Sequence, residues 1–497
     1  MPRRPADLQT TTRTNGCTGT RTAAGGPWIA VCLLLAGCPA PDSGKEEASE
    51  RLAAVGTIRL AVVDDPALAE AIEPFRGEWQ GQTGGDFVVE QITADGLADP
   101  GTIAADAVIC GPHYLGAFAA GDHLAPLPEH LRRPDRSRWP ETFSLLRAHE
   151  AVWGSEVLGV PFGSPVLVCY VRPDLLAKLD RKPPETWAEY HELAALLADR
   201  DKLGDKAPPE DAPWSGTLEP LAAGWAGKVL LARAAAYATH RENYSTLFEI
   251  DTMRPLVAGP PFVRALEELA AVGAAAEQLT LDPAAVRRAF WEGRSGMALC
   301  WPTAAASEPI AAADGVEAAL ADLPGAAEVY DFVDQAWERR GKGEDTRVTL
   351  LGVAGRLGVV TRQSQWPEAT FGLLLWLSDD DHSVEVSAAS EMTTLFRPSQ
   401  IDAAGAWVEP PVSPETAIQY GELIQTVLSR QQRLFAVRIP GRGEYAAALD
   451  EAVHQAVRGE KTPEEALREA AARWDEITER LGRRQQAEAY YRSLGLE

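Results

Sequence analysis

Four residues fall where an α/β sheet presents its chemistry. Asp64 and Asp65 end the β-rich run Ile58–Val63, and His113 and Tyr114 follow the apolar run Ala107–Cys110. Ligands of such sheets bind beyond the carboxyl ends of the strands, so two carboxylates, an imidazole and a phenol gather where a ligand is expected. These groups suit hydrogen bonding to a polar solute. Motifs of catalysis do not accompany them. His191-Glu192 is followed by Leu193, Ala194 and Ala195, with no second histidine for a zinc-protease helix. Gly163-Ser164-Pro165 lacks the flanking glycines of a nucleophile elbow. Gly227-Lys228 lacks the upstream glycine of a phosphate loop. No CxxC or Cys/His pair offers a metal site, and no cofactor motif is present. The chemistry is that of binding, although 72 acids leave a glycosidase-like carboxylate pair open.

The elements that position these residues alternate between strand and helix. After Ile58–Val63 and Asp64-Asp65-Pro66, residues Leu68, Ile72, Phe75 and Trp79 recur at four, three and four, which predicts one amphipathic helix. Phe87-Val88-Val89 with Ile92, and then Ala107–Cys110, predict two more strands. Strands separated by helices imply a parallel or mixed sheet covered by helices. A second block, Gly159 to Tyr170, is apolar but broken at Gly163-Ser164-Pro165, as if one strand leaves a first lobe and enters a second. Thr186 with Glu189 forms a capping box, opening a helix that turns Trp187, Tyr190, Leu193, Ala194 and Leu197 inward. Trp225 to His240 is Ala-rich and helical, and Phe262, Leu266, Leu269 and Val272 mark another amphipathic helix. Phe290 to Pro302 reads as a helix end, a turn and a buried strand closed by Trp301. Thr462-Pro463-Glu464-Glu465 caps a last helix bearing Leu467, Ala470, Trp474, Ile477 and Leu481.

The amino-terminal 37 residues read as an export signal. Arg3, Arg4, Arg13 and Arg21 precede the short apolar run Trp28–Leu35, which is too short to span a bilayer. It ends in Leu35-Ala36-Gly37-Cys38, similar to the bacterial lipobox, so Cys38 is expected to be lipidated and to become the first mature residue. The Pro-, Ser-, Lys- and Glu-rich stretch up to residue 56 is then a flexible tether. Removing residues 1–37 moves the net charge from −25 to −28, which argues against a nucleic-acid partner. Some 459 residues remain, more than one core usually supports, so two lobes are expected. Cys110, Cys169 and Cys300 each sit in an apolar run and read as buried free thiols.

Seven pieces follow one another along the chain. They are the lipobox; Asp106–Ile109 with Phe118 and Gly121 to Leu127; Val160-Pro161-Phe162 with Tyr170 and Asp174-Leu175-Leu176; Pro184–Trp187; Gly293–Met297 with Trp301-Pro302; Arg397-Pro398-Ser399; and Gly459–Leu467. In these pieces and their order, from Thr57 to Gly482, the chain resembles the extracellular solute-binding proteins of ABC importers, family 1, especially the carbohydrate-binding group of the maltose-binding type. Tyr170-Val171 replaces the usual Tyr-Asn, and Asp199–Gly216 and Glu328–Asp345 look like insertions.

The resemblance implies an α/β, periplasmic-binding-protein-like fold of class II, with two α/β lobes, a hinge and a central cleft. Lobe 1 is expected to hold 57–163 and 352–396, and lobe 2 to hold 164–351 and 397–497. It implies ligand contacts from Trp301 as a stacking ring, from His113 and Tyr114, and from Ser164 at the crossing. Trp225, Arg442, Tyr445 and Asp65 complete the expected set. Core packing remains an alternative for Trp225 and Trp301, a turn role for Ser164, and a helix N-cap for Asp65. The implied function is capture of a solute, a sugar or oligosaccharide, for ABC permease subunits by a lipid-anchored exported protein facing the periplasm or exterior. The alternatives are a sensor for a membrane kinase and a surface carbohydrate hydrolase.

Overall fold

The alternation of strand and helix resolves into two main sheets. The computed structural model describes residues 56–97, 100–272 and 276–496; the signal segment, Cys38 and the tether up to residue 55 lie outside the described residues. In chain order the strands are β1 Thr57–Val63, β2 Asp86–Ile92, β3 Ala107–Cys110, β4 Val152–Trp153, β5 Glu156–Val157, β6 Gly159–Pro161, β7 Val168–Val171 and β8 Ser215–Leu218. They continue with β9 Ser295–Cys300, β10 Ala319–Ala321, β11 Glu328–Asp331, β12 Ala336–Arg339, β13 Thr349–Leu351, β14 Leu357–Val360 and β15 Arg433–Phe435.

The first sheet has the order β2-β1-β3-β14-β6, with β1 parallel to β2 and β3, and β14 antiparallel to β3 and β6. The second has the order β10-β7-β9-β8, with β8 parallel to β9 and β7 antiparallel to both its neighbours. Helices Pro66–Ile72 and Pro367–Leu377 pack on the first sheet. Helices Trp187–Ala198, Pro283–Trp291 and Pro414–Leu428 pack on the second. Every residue of β3, β7, β9 and β14 is buried. Strands covered on both faces need continuous apolar runs instead of alternation, which is why these segments stand out in the sequence. The result is two α/β lobes, the fold class expected from the sequence.

The chain leaves the first sheet for β7 of the second at 162–167 and returns to it at 352–356 from β13, which pairs with β15, and these two segments are bonded to each other. Phe162 N–H donates to the Arg356 carbonyl and Arg356 N–H to the Gly163 carbonyl, both at 2.9 Å. Glycine is required here. Gly163 has φ +108°, and a Cβ on it would lie 2.1 Å from the Thr394 carbonyl oxygen; Gly355 has φ +133°, and its Cβ would lie 2.2 Å from Ser164 Oγ.

Local signals hold in most places. Both capping boxes form, at Thr186/Glu189 and Thr462/Glu465. Cys110, Cys169 and Cys300 are free and buried. The single helix expected over Leu68 to Trp79 is instead broken into Pro66–Ile72, a 3-10 turn Glu73–Phe75 and Arg76–Thr83. Pro74 interrupts it, because it has no N–H to continue the ladder. The stretch 328–345, expected to be an insertion, folds largely as the β11–β12 hairpin. Among the described residues no helix is long and apolar enough to cross a membrane.

Candidate functional site

The first lobe contributes the ends of its central strands. Beyond β3, a 3-10 turn Pro112–Tyr114 leads into helix Leu115–Ala120 and leaves His113 and Tyr114 half-buried, their rings 4.6 Å apart. Beyond β1, Asp65 caps helix Pro66–Ile72, its Oδ1 accepting from Leu68 N–H at 3.1 Å. Its Oδ2 accepts from Arg356 Nε at 2.7 Å and from the Ser390 hydroxyl. Both carboxylate oxygens are engaged and the residue is buried, so Asp65 acts as a helix cap and a tie to the second crossing instead of a ligand contact.

The second lobe contributes two helix starts and one strand end. Trp225 precedes helix Ala226–Ala238, and the turn is held by Asp450, whose carboxylate accepts from Gly224 N–H at 2.6 Å and Gly227 N–H at 2.7 Å. A carboxylate there also complements the helix dipole. Lys228, one turn on, lies 4.1 Å from the Trp225 ring and donates to the Val353 carbonyl at 2.9 Å. Arg442 opens helix Arg442–Val457 and lies 3.8 Å from the Tyr114 ring centroid. Trp301, just past β9, is 2% exposed; its ring lies 5.3 Å from that of Trp225, and its indole N–H donates to the Glu391 carbonyl at 2.9 Å.

Five of the expected residues therefore meet at one seam between the lobes: His113, Tyr114, Trp225, Trp301 and Arg442. Besides Asp65, two others, Tyr445 and Ser164, do not belong to it as ligand contacts. Tyr445 is fully buried in the second lobe, edge-on to Phe248 and Trp474, with its hydroxyl 2.9 Å from Thr478 Oγ1. It lies three residues beyond Arg442, and its ring is enclosed by core packing. Ser164 is buried at the first crossing and donates to Glu150 Oε2 at 2.6 Å, so its hydroxyl is committed to the hinge. Sequence reasoning missed Lys228, Arg356, Glu391 and Asp450. Lys228 does carry a signal, as a cation inside an otherwise apolar helix face.

The electrostatics of the seam favour a neutral imidazole. Burial, then Arg442, Lys228 and Arg356, hold the His113 pKa well below its ordinary value, so one ring nitrogen donates and the other accepts. Burial and Arg442 push the Lys228 ammonium down to about 8, against the opposing pull of Asp450. Stacking rings, two cationic donors and a neutral histidine can hold a hydroxylated solute. The seam shows no nucleophile poised against a base.

No family model and no curated protein matches the sequence. Solved structures do match over most of the chain. One is an ABC transporter solute-binding protein from Agrobacterium vitis S4 with bound D-mannitol, at 16% identity and TM-score 0.61, covering 86% of this chain and 99% of that one. A second is the sugar-binding protein MalE from Xanthomonas citri, at 17% identity and TM-score 0.60, covering 86% and 98%. A third, a solute-binding protein from Agrobacterium radiobacter K84 in complex with ribitol, has 17% identity and TM-score 0.57 over 85% and 98%. This chain thus has the two-lobed fold of the solute-binding proteins of ABC transporters.

Proposed function

We propose that this protein is the substrate-binding component of an ABC importer, holding a sugar or sugar alcohol between its lobes for delivery to permease subunits. The observation that carries the reading is the seam itself. Lobe 2 presents Lys228, Trp301 and Arg442 to Val353, Glu391 and Tyr114 of lobe 1, with Trp225 beside Lys228 and Trp301 and with His113 beside Tyr114. Opening the lobes breaks these contacts, and a solute that bridges the two faces favours the closed form. The proposed division is 57–163 with 352–396 for lobe 1 and 164–351 with 397–497 for lobe 2. The proposed lipid on Cys38 keeps the body at the membrane, because two or more acyl chains anchor stably where one does not. A thermal-shift screen against mono- and oligosaccharides and sugar alcohols tests the reading. A ligand at 100 times its dissociation constant adds about 2.7 kcal/mol of stability, and a flat response across the panel contradicts it.

A further inference from the structure

A cavity of about 800 Å³ lies apart from the seam. It is walled by Ala148, His149, Val152, Gly154 and Ser155, by the chain following helix Ala226–Ala238, by β15 and its continuation to Arg438, and by the turn after helix Arg483–Ser493. Its volume falls in the range of small-molecule sites, about 300–1,000 Å³. Arg241, Arg433 and Arg438 line it together with His149 and His240, and no Asp or Glu does, although the chain carries 72 acids against 47 lysines and arginines.

The cations divide by role. Arg438 is buried beneath the wall and spends its terminal nitrogens on the carbonyls of His149 (3.3 Å), Glu150 (3.1 Å), Val152 (3.2 Å) and Ser493, while its Nε has no partner. It thereby brings positive charge to the wall, with Glu150 as its acidic neighbour. Arg433 is half-buried, and its side chain donates to the Gln431 carbonyl at 3.2 Å. Burial alone holds its pKa below the ordinary arginine value, as expected for a guanidinium with no carboxylate near it. Burial, then Arg433 and Arg438, push His149 down to about 4, so it is neutral in the empty cavity. Two of the lining residues, His240 and Arg241, already have acidic partners, and burial suppresses the acid beneath the wall, so Arg433 is the cation left open to an anion. Glu338 lies 3.4 Å from His240, Glu242 lies 3.7 Å from Arg241, and burial pushes the Glu150 carboxyl up to about 7.

We infer that this cavity binds a small organic oxyanion, a sugar acid or a sugar phosphate, at a site distinct from the seam. A guanidinium fork matches carboxylate and phosphate oxygens in bidentate geometry, and a concave wall of one sign concentrates counter-ions. Asn243, Gln431 and Gln432 supply amides for the neutral hydroxyls of such a molecule. An anion on Arg433 also raises the His149 pKa, since it offsets the charges that depress it.

Isothermal titration of the full chain at low ionic strength tests this, with galacturonate, glucose 6-phosphate, inorganic phosphate and neutral galactose as probes. The expected result is saturable binding of galacturonate or glucose 6-phosphate, at least tenfold weaker in Arg433→Gln and unchanged in Trp225→Ala. Which of the two binds identifies the oxyanion. Inorganic phosphate binding as tightly as both marks an adventitious ion only and overturns the proposal. Loss of binding in Trp225→Ala places the acid in the seam, overturning the separate site while supporting the seam as the solute site. Absence of binding by either organic acid also overturns it and leaves the reading of the seam untouched.

Discussion

The indole N–H of Trp301 donates to the Glu391 carbonyl at 2.9 Å, joining the end of β9 in one lobe to a loop of the other. That bond makes Trp301 part of the closed seam as well as of the second lobe's packing. Trp301→Phe removes the N–H donor, worth about 1 kcal/mol, together with part of the buried ring, and is expected to raise the ligand-free radius of gyration in small-angle scattering. Trp301→Ala empties a buried site and is expected to cost about 3–5 kcal/mol, read as a lower melting temperature. An unchanged melting temperature in the alanine variant contradicts this placement.

The Glu150–Ser164 pair makes stability depend on pH. Burial, opposed by the Ser164 bond and by Arg438, raises the Glu150 pKa from 4.5 to about 7. Between those values the folded chain binds more protons than the unfolded one, so the contribution of this residue is greatest in acid and is lost as pH rises through 7. Glu150→Gln mimics the protonated form at every pH. It is expected to be more stable than wild type at pH 8, by at most about 3 kcal/mol, and equal to it near pH 4.5. Equal melting at both pH values contradicts the assignment.

Gly163→Ala tests the hinge geometry. The new Cβ would lie 2.1 Å from the Thr394 carbonyl in a backbone with φ +108°, a conformation that costs an L-residue about 1–3 kcal/mol before the clash is counted. Lower stability is expected, read as an earlier urea midpoint with an unchanged m-value. Wild-type behaviour of this variant would falsify the tight crossing.

Much of the fold is legible in the sequence because its signals are local. Doubly covered strands such as Val168–Val171 must be apolar throughout, and Thr186 and Thr462 cap their helices with glutamates three residues on. The seam was only partly legible. His113 and Tyr114 follow from the rule that ligands meet strand ends, but Tyr445 and Arg442 lie three residues apart on one helix and go to different surroundings. Which of them faces the seam depends on the packing of Phe248 and Trp474, residues distant in the chain. Between the alternatives for Asp65 and Ser164, ligand contact or helix cap and bend, the sequence could not choose for a similar reason. Their partners Arg356, Ser390 and Glu150 are brought to them by the crossings, and no periodicity announces that.

The proposed lipid anchor is tested through Cys38. Cys38→Ser is expected to release the protein from the membrane fraction or to leave its signal unprocessed. Metabolic labelling with a fatty-acid analogue reads this directly. Undiminished acylation of the serine variant contradicts Cys38 as the attachment point.

The central claim is that a solute is held at the seam, and Trp225 is the residue to question. Its ring is half-buried beside Lys228 and Trp301, so truncation removes a stacking surface without opening a core. Isothermal titration of the best saccharide or sugar alcohol against wild type and Trp225→Ala is the direct measurement. At least tenfold weaker binding by the variant, a loss of about 1.4 kcal/mol or more, with the ligand-free melting temperature unchanged, is the predicted result. Equal affinity of the two proteins would contradict the account.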